Sequence, residues 1–381
     1  MLTPEELKRY NRHIILPEFG KEAQEKLKNA SVLVIGAGGL GCPVLLYLTA
    51  AGVGTIGIVD FDTVDKSNLH RQVLFSVKDT GKLKAEVAAE KLAEQNPFVN
   101  FKVHTEKLDR ENAQALFAQY DLVVDGSDNF PTRYLVSDVC TIQNKPLIFG
   151  SIFKFQGQVS VFNYVDESGK KGPTYRCLFP EPPSPGSVPN CATIGVLGVL
   201  PGMIGSIQAN EAIKVITGIG QPLVGRLMML DALSMETTTI KIMAVEENFK
   251  RTNLEADYEA FCNPPTPMPE TETEEYKEIS VKTLEQKLNA QEDIFLLDVR
   301  EPHESEICQI TGSTLIPMRS VSEQVEKIPE DKPVVVYCHH GMRSAWVVKF
   351  LSDEFNYKNL YNLEGGIDQW AAKVDKGMSR Y

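Results

Sequence analysis

Apolar residues along this chain follow two rhythms, compact runs and helix-spaced stripes, and the two alternate. Runs at 31–35, 55–59, 101–104 and 122–125 read as buried strands. Stretches at 40–51, 84–95 and 110–119 between them read as helices, and Asn96-Pro97 stops the second. Such alternation predicts an α/β fold, a mostly parallel sheet covered on both faces. Runs at 158–162, 226–230 and 237–243 read as antiparallel additions. The apolar stretch 192–207 holds four glycines and a proline and is short for a bilayer span, so it reads as a buried helix. At the start of the chain, Thr3, Pro4 and Glu6 have the pattern of a helix capping box.

The pattern stops at residue 264 and starts again at 277. Residues 264–276 are rich in proline and glutamate and cannot build a core, so they read as a stiffened, solvated linker. Two domains follow, 1–263 and 277–381. The second opens afresh with strands at 295–299 and 334–337 and a helix at 345–353.

Composition narrows the partners. The 381 residues are 43% hydrophobic and 24% charged, enough for two cores. A net charge of −12 argues against a nucleic-acid backbone. Seven scattered cysteines suit a reducing compartment better than a disulfide framework. With no targeting or membrane segment in view, the expected location is the cytoplasm.

Gly36-Ala-Gly-Gly39-Leu-Gly41 follows the first strand and opens a helix, a Rossmann-like arrangement that brings backbone and a helix N-terminus against a phosphate. Asp60 ends the second strand, where an acid reaches ribose hydroxyls. Taken alone, this pattern suits a nicotinamide or flavin dinucleotide equally well. The next loop changes the balance. It carries Asp62, Ser67, Asn68 and Arg71, Lys84 opens the following helix, and Asp128-Asn129 follows the fourth strand. Cations for phosphates and a carboxylate for Mg2+ suit a triphosphate losing pyrophosphate. As single residues, Arg71 and Lys84 would also pass for solvated surface charges.

The segments RYNRHIILPEFG, VLVIGAGGLGCPVLLYLTAAGVGTIGIVDFDTVDKSNLHRQ, DGSDNFPTRY, IFGSIFKFQGQVSVF and YRCLFPEPP resemble the MoeB/ThiF branch of the E1-like activating enzymes. The resemblance implies ATP-dependent adenylation of the C-terminal glycine of a ubiquitin-like sulfur carrier ending in Gly-Gly. By motif, Gly39, Gly41 and Asp60 with Asp62 would hold the nucleotide. Ser67, Asn68, Arg71 and Lys84 would line its phosphates, and Asp128 with Asn129 would close the site and take Mg2+. Arg12 resembles an arginine lent to a neighbouring subunit's ATP, which implies a homodimer. The family often holds a structural zinc with two C-x-x-C pairs. Here Thr174 stands where the first pair would begin, leaving Cys177, and only Cys262 follows near the domain's end, so no zinc is expected. The segment 257–262 is the candidate to replace the metal by packing. Cys191 occupies a place where the family has a cysteine capable of thioester or disulfide steps. It follows a Pro/Gly/Ser-rich stretch, 180–189, that reads as a mobile crossover loop, and a cysteine without chemistry is the plain alternative. Cys42 and Cys140 read as core residues.

In the second domain, Cys338 follows a strand and precedes a helix, among backbone N–H groups that stabilise anionic sulfur. Four residues separate Cys338 from Arg343, one fewer than in a phosphatase loop, and the smaller loop suits a single sulfane sulfur. Arg343 would add positive charge. With Leu297-Asp298-Val-Arg300-Glu301, Gly312 and the segment 363–370, the loop resembles a rhodanese domain over 277–372. That implies a persulfide on Cys338, loaded by a sulfur donor such as a cysteine desulfurase. His339 and His340 could shuttle a proton to the sulfur or sit idle. The whole reads as a sulfur-carrier adenylyltransferase fused to its own sulfurtransferase. The molybdopterin-synthase small subunit is the first-choice carrier, and thiamine- or cysteine-pathway carriers come next. A Rossmann flavin or NAD persulfide oxidoreductase and a non-catalytic binding module are the alternatives from other classes.

Overall fold

The computed structural model describes residues 1–166, 169–183, 195–262 and 277–380. Cys191 and the stretch 264–276 lie outside them. The chain divides into two compact units, Met1–Thr266 and Pro267–Tyr381.

The first unit is built on one eight-stranded sheet among the described residues. Its strands are β1 (Ser31–Ile35), β2 (Thr55–Val59), β3 (Asn100–His104), β4 (Leu122–Asp125), β5 (Leu147–Phe153), β6 (Gln156–Phe162), β7 (Arg226–Asp231) and β8 (Thr237–Lys241). They lie in the order β3-β2-β1-β4-β5-β6-β7-β8. The first five are parallel, and β6, β7 and β8 continue antiparallel. Val32, Leu33 and Val34 are fully buried, as continuous apolar strands covered on both faces must be. Each such side chain contributes roughly 1.5–3 kcal/mol. The chain leaves β1 towards β2 on one side and reaches β4 on the other, so a crevice opens beyond the carboxyl ends of β1 and β4.

Several expectations hold to the residue. Helix Lys84–Gln95 and strands β1, β2 and β4 have the expected bounds. The capping box at Thr3 and Glu6 is formed in both directions. Two helices differ. The expected helix at 110–119 is reduced to Ala113–Phe117. The helix placed at 192–207 starts instead at Leu200 and runs to Thr217, with Pro201 in its first turn. Residues 195–199 precede it, and Gly198 lies so close to the His70 backbone that a Cβ would come within 2.8 Å of its carbonyl oxygen.

The second unit has a five-stranded, all-parallel sheet among the described residues. Its strands are β9 (Lys277–Ile279), β10 (Phe295–Asp298), β11 (Thr314–Leu315), β12 (Val334–Tyr337) and β13 (Leu360–Leu363), in the order β11-β10-β12-β13-β9. The central β12 is buried throughout. Among the described residues no helix is long and apolar enough to cross a membrane.

Candidate functional sites

In the first unit the glycine loop closes tightly on itself and on the loop after β4. Gly36 takes φ +87°, and its amide donates to the Val59 carbonyl at 2.7 Å. At Gly41 a Cβ would sit 1.9 Å from the Gly36 carbonyl oxygen, so only glycine lets the helix Gly41–Ala51 start there. Asp60 holds the loop from the β2 side. Its Oδ2 accepts from the Ala37 amide at 2.8 Å and its Oδ1 from the Asp62 amide at 2.9 Å. Burial pushes the Asp60 carboxyl up, and those two amides oppose the shift.

The charged residues after β2 are engaged with one another. Lys84 is 5% exposed, and its Nζ meets Asp62 Oδ2 at 3.1 Å. Arg71 lies 2.7 Å from the His70 ring and 3.3 Å from the Ser67 carbonyl. Asp65 accepts from the Ser67 amide and hydroxyl, which hold its carboxyl below the usual range. Asn68 is supported by Gln72, whose Nε2 donates to Asn68 Oδ1 at 2.8 Å. At the end of β4, Asp125 is buried and accepts from the Ser127 amide, while Asp128 beyond it is exposed. Burial pushes the Asp125 carboxyl up against the pull of Arg133. Asn129 is the N-cap of helix Phe130–Ile142 and accepts from the Thr132 amide at 3.0 Å, so its side-chain oxygen is already engaged. Arg12 stands exposed on the short helix Asn11–Ile14.

The residues present fit a nucleotide. The glycine backbone leaves a cradle that side chains would fill. Gln72 Oε1 and Ser127 Oγ beside it are buried with no protein partner. Sequence reasoning missed Gln72, whose role shows only once the loop is folded.

Cys177 and Cys262 lie in different settings. Cys177 Sγ accepts from the Val245 amide at 3.3 Å, the Thr174 amide at 3.4 Å and Asn248 Nδ2 at 3.5 Å. Burial pushes this thiol up, but the hydrogen bonds from Asn248 and Thr174 outweigh it and bring the thiol below the ordinary value. Cys262 packs in the apolar core, where burial raises it to about 12. The segment 257–262 does pack beside Cys177. Tyr258 donates to the buried Asp138 at 2.7 Å, and Arg176 binds Asp138 with two hydrogen bonds of 2.8 Å under the Phe261 ring. The hydrogen-bond partners of Cys177, however, are Thr174, Val245 and Asn248, not that segment. Among the described residues no three His, Cys, Asp or Glu side chains converge on a metal position.

In the second unit Cys338 follows β12 and is 2% exposed. Its Sγ accepts from the Gly341 amide at 3.1 Å and lies 3.5 Å from Ser344 Oγ. The loop is held in that orientation from behind. The amides of Ile367 and Asp368, opening helix Gly366–Lys373, donate to the Cys338 and His339 carbonyls at 2.9 and 3.1 Å. The carbonyls therefore turn away from the sulfur. Gly366 makes this possible at φ +59°, where a Cβ would lie 2.4 Å from both carbonyl oxygens.

The charge expected from Arg343 is compensated. Both of its terminal nitrogens reach the Glu304 carboxylate at 2.7 Å, a bidentate pair. Glu304 was not anticipated as part of the site, although the Glu301 and Glu304 capping box that fixes it is legible in the sequence. Asp298 and Arg300 form a fully buried pair behind it, and Arg300 also donates to the Glu304 and Cys308 carbonyls. His339 is half-buried, and burial, then the neighbouring His340, lower its basicity. The two rings lie 4.1 Å apart, and His340 Nδ1 is 4.0 Å from Asp368.

The ThiF family model matches residues 10–252, well over half of the chain. The chain belongs to the ThiF family. A rhodanese-like domain model matches residues 280–373. A Mycobacterium tuberculosis protein named probable adenylyltransferase/sulfurtransferase MoeZ is 45% identical over 100% of this chain and 96% of its own length. A Thermus thermophilus sulfur carrier protein adenylyltransferase is 52% identical over 68% of this chain and 98% of its own. The Escherichia coli MccB crystal structure shares the fold at TM-score 0.56 and 24% identity, covering 64% of this chain and 72% of that one. With full-length identity at this level, the chain is an enzyme, an adenylyltransferase with sulfurtransferase activity. The oxidoreductase and binding-module alternatives fall away.

Proposed function

We propose that this enzyme uses ATP to adenylate the C-terminal glycine of a small ubiquitin-like sulfur carrier and then converts it to a thiocarboxylate with sulfur from Cys338. The observation that carries this reading is the presence, in one chain, of a glycine-walled phosphate cradle with Lys84 and Arg71 at its rim and a buried cysteine sulfur facing a backbone donor. In the first step a carrier carboxylate oxygen attacks the α-phosphate and pyrophosphate leaves. Arg71 and Lys84 stabilise the charge that develops. Asp60 and Asp62 hold the nucleotide at the β2 side, and Ser67 and Asn68 line the phosphates. Asp128 would hold Mg2+, which neutralises phosphate charge. Arg12 serves the nucleotide of a second copy, making the enzyme a homodimer.

In the second step the outer sulfur of a Cys338 persulfide attacks the acyl-adenylate carbon and AMP leaves, giving an acyl disulfide. A thiol, Cys191 or an external reductant, then attacks Cys338 Sγ, and the thiocarboxylate departs. Gly341 donates to the sulfur throughout. The molybdopterin-synthase small subunit is the proposed carrier and a cysteine desulfurase the proposed donor.

Carrier-dependent ATP–pyrophosphate exchange across a panel of carriers, followed by mass spectrometry for the thiocarboxylate, tests both steps. The reading expects exchange to survive Cys338→Ala while the thiocarboxylate disappears. Loss of both, or exchange with no carrier, counts against it.

A further inference from the structure

The helix that follows the Cys338 loop, Met342–Phe355, has two apolar faces where the unit's core needs one. Val347, Val348 and Leu351 face inwards and are buried. On another face, successive turns carry Met342, Trp346 and Phe350, residues that share one side of a helix. Met342 is 75% exposed and Trp346 53% exposed. The Trp346 ring stacks on Phe350 at 5.3 Å and 7°, and Phe350 meets the exposed Phe355 edge-on at 5.5 Å. Single exposed apolar side chains are ordinary, whereas a contiguous exposed patch marks a contact surface. This one begins immediately after Gly341, the residue whose amide touches the reactive sulfur.

Its place and size select an occupant. Cys338 is 2% exposed, so only a thin, extended chain end reaches it, and the body bearing that end must rest on the rim of the loop. Met342 and Trp346 are the apolar part of that rim. The stripe offers on the order of 300 Å² of ring and thioether surface. A stable complex between free proteins buries about 1,200 Å² or more. Of the two proposed partners, the carrier ends in a thin Gly-Gly tail of the kind a buried sulfur admits, and it must leave again after transfer, so a small patch is enough.

We propose that the Met342, Trp346 and Phe355 stripe seats the body of the ubiquitin-like carrier through an apolar patch on that carrier, with its C-terminal tail directed at Cys338. This rests on the function proposed above.

The test uses the full chain with Trp346→Glu, Trp346→Ala and the conservative Trp346→Phe. Three rates are compared: carrier-dependent pyrophosphate exchange, sulfur transfer from thiosulfate to cyanide through Cys338, and thiocarboxylate formation against carrier concentration. Trp346→Glu should raise the carrier concentration for half-maximal thiocarboxylate formation about 10- to 100-fold. Exchange and thiosulfate turnover should stay unchanged, and Trp346→Phe should restore most of the loss. An unchanged carrier dependence overturns the inference. So does a parallel loss of thiosulfate turnover, which would make Trp346 a structural residue. Slower loading of Cys338 by a cysteine desulfurase with normal carrier dependence would assign the stripe to the donor. If the unaltered chain exchanges with no carrier, the proposed function fails first and takes the occupant with it.

Discussion

Beyond the carboxyl ends of β1 and β4, the wall of the site is glycine backbone and its charges stand at the rim. Asp62 is half exposed, Lys84 leans on it, and Arg71 rests against a histidine and a carbonyl. Beyond β12, Cys338 Sγ is already buried, its amide donor is in place, and the nearby arginines are committed to Glu304 and Asp298. Under the proposed function the same strand-end geometry serves two chemistries. At the first site Lys84 is paired with a half-exposed carboxylate and Arg71 with neutral partners, contacts that a polyphosphate can replace. A site for one sulfur atom neutralises its cations in advance and works through a fixed backbone.

Five substitutions would break or sharpen this contrast. Cys338→Ala should bring thiocarboxylate formation below detection, a fall of at least ~1,000-fold, with pyrophosphate exchange intact. Residual thiocarboxylate would show that the preformed loop is not the sole sulfur carrier. Arg71→Ala should slow exchange roughly 100- to 1,000-fold and leave thiosulfate turnover at Cys338 untouched. A fall in both rates would mean that the two sites are not separate devices.

Gly366→Ala forces a Cβ onto two carbonyls and should destabilise the second unit by roughly 2–4 kcal/mol, read from its denaturant midpoint. Gly38→Ala, where the nearest atom is a Gln72 side-chain nitrogen at 3.5 Å, should change the first unit by less than about 1 kcal/mol. Equal costs would remove the distinction between the crowded Gly366 and the open Gly38 position. The smallest effect concerns pH. Burial lowers the folded His339 value below 6.5, so the neutral ring is the favoured form. Its contribution is complete above about pH 6.5 and is lost as pH falls through the lower folded value. The second unit's midpoint should decline on acidification, and His339→Gln should flatten that decline. A slope unchanged by the substitution would place its origin elsewhere.

The parts legible in the sequence were those governed by local rules. Periodicity located β1, β2, β4 and helix Lys84–Gln95 because fully buried strands and an amphipathic helix have distinct patterns. Strands β9 and β11, of three and two residues, are too short to show a period. The helix placed at 192–207 was displaced because apolar content is high throughout 192–217, and the tight approach of Gly198 to His70 decides where the helix can begin. Glu304 escaped notice because its partner lies 39 positions away, and a single glutamate carries no mark of that distant contact.

The sequence by itself determined the two-unit organisation, the glycine cradle with its acid at the end of β2, and the strand–Cys338–helix loop. Each depends on neighbours within a few positions, where sterics and hydrogen bonding act through the local chain. Tertiary structure alone decided which polar groups are already engaged: Arg343 by Glu304, Asn129 by its own helix, Cys177 by Val245 and Asn248. It also decided that Trp346 faces outwards beside the sulfur loop while Val347 is buried. An ion pair or an exposed ring depends on what folding brings near it, and local sequence rules do not supply that distance.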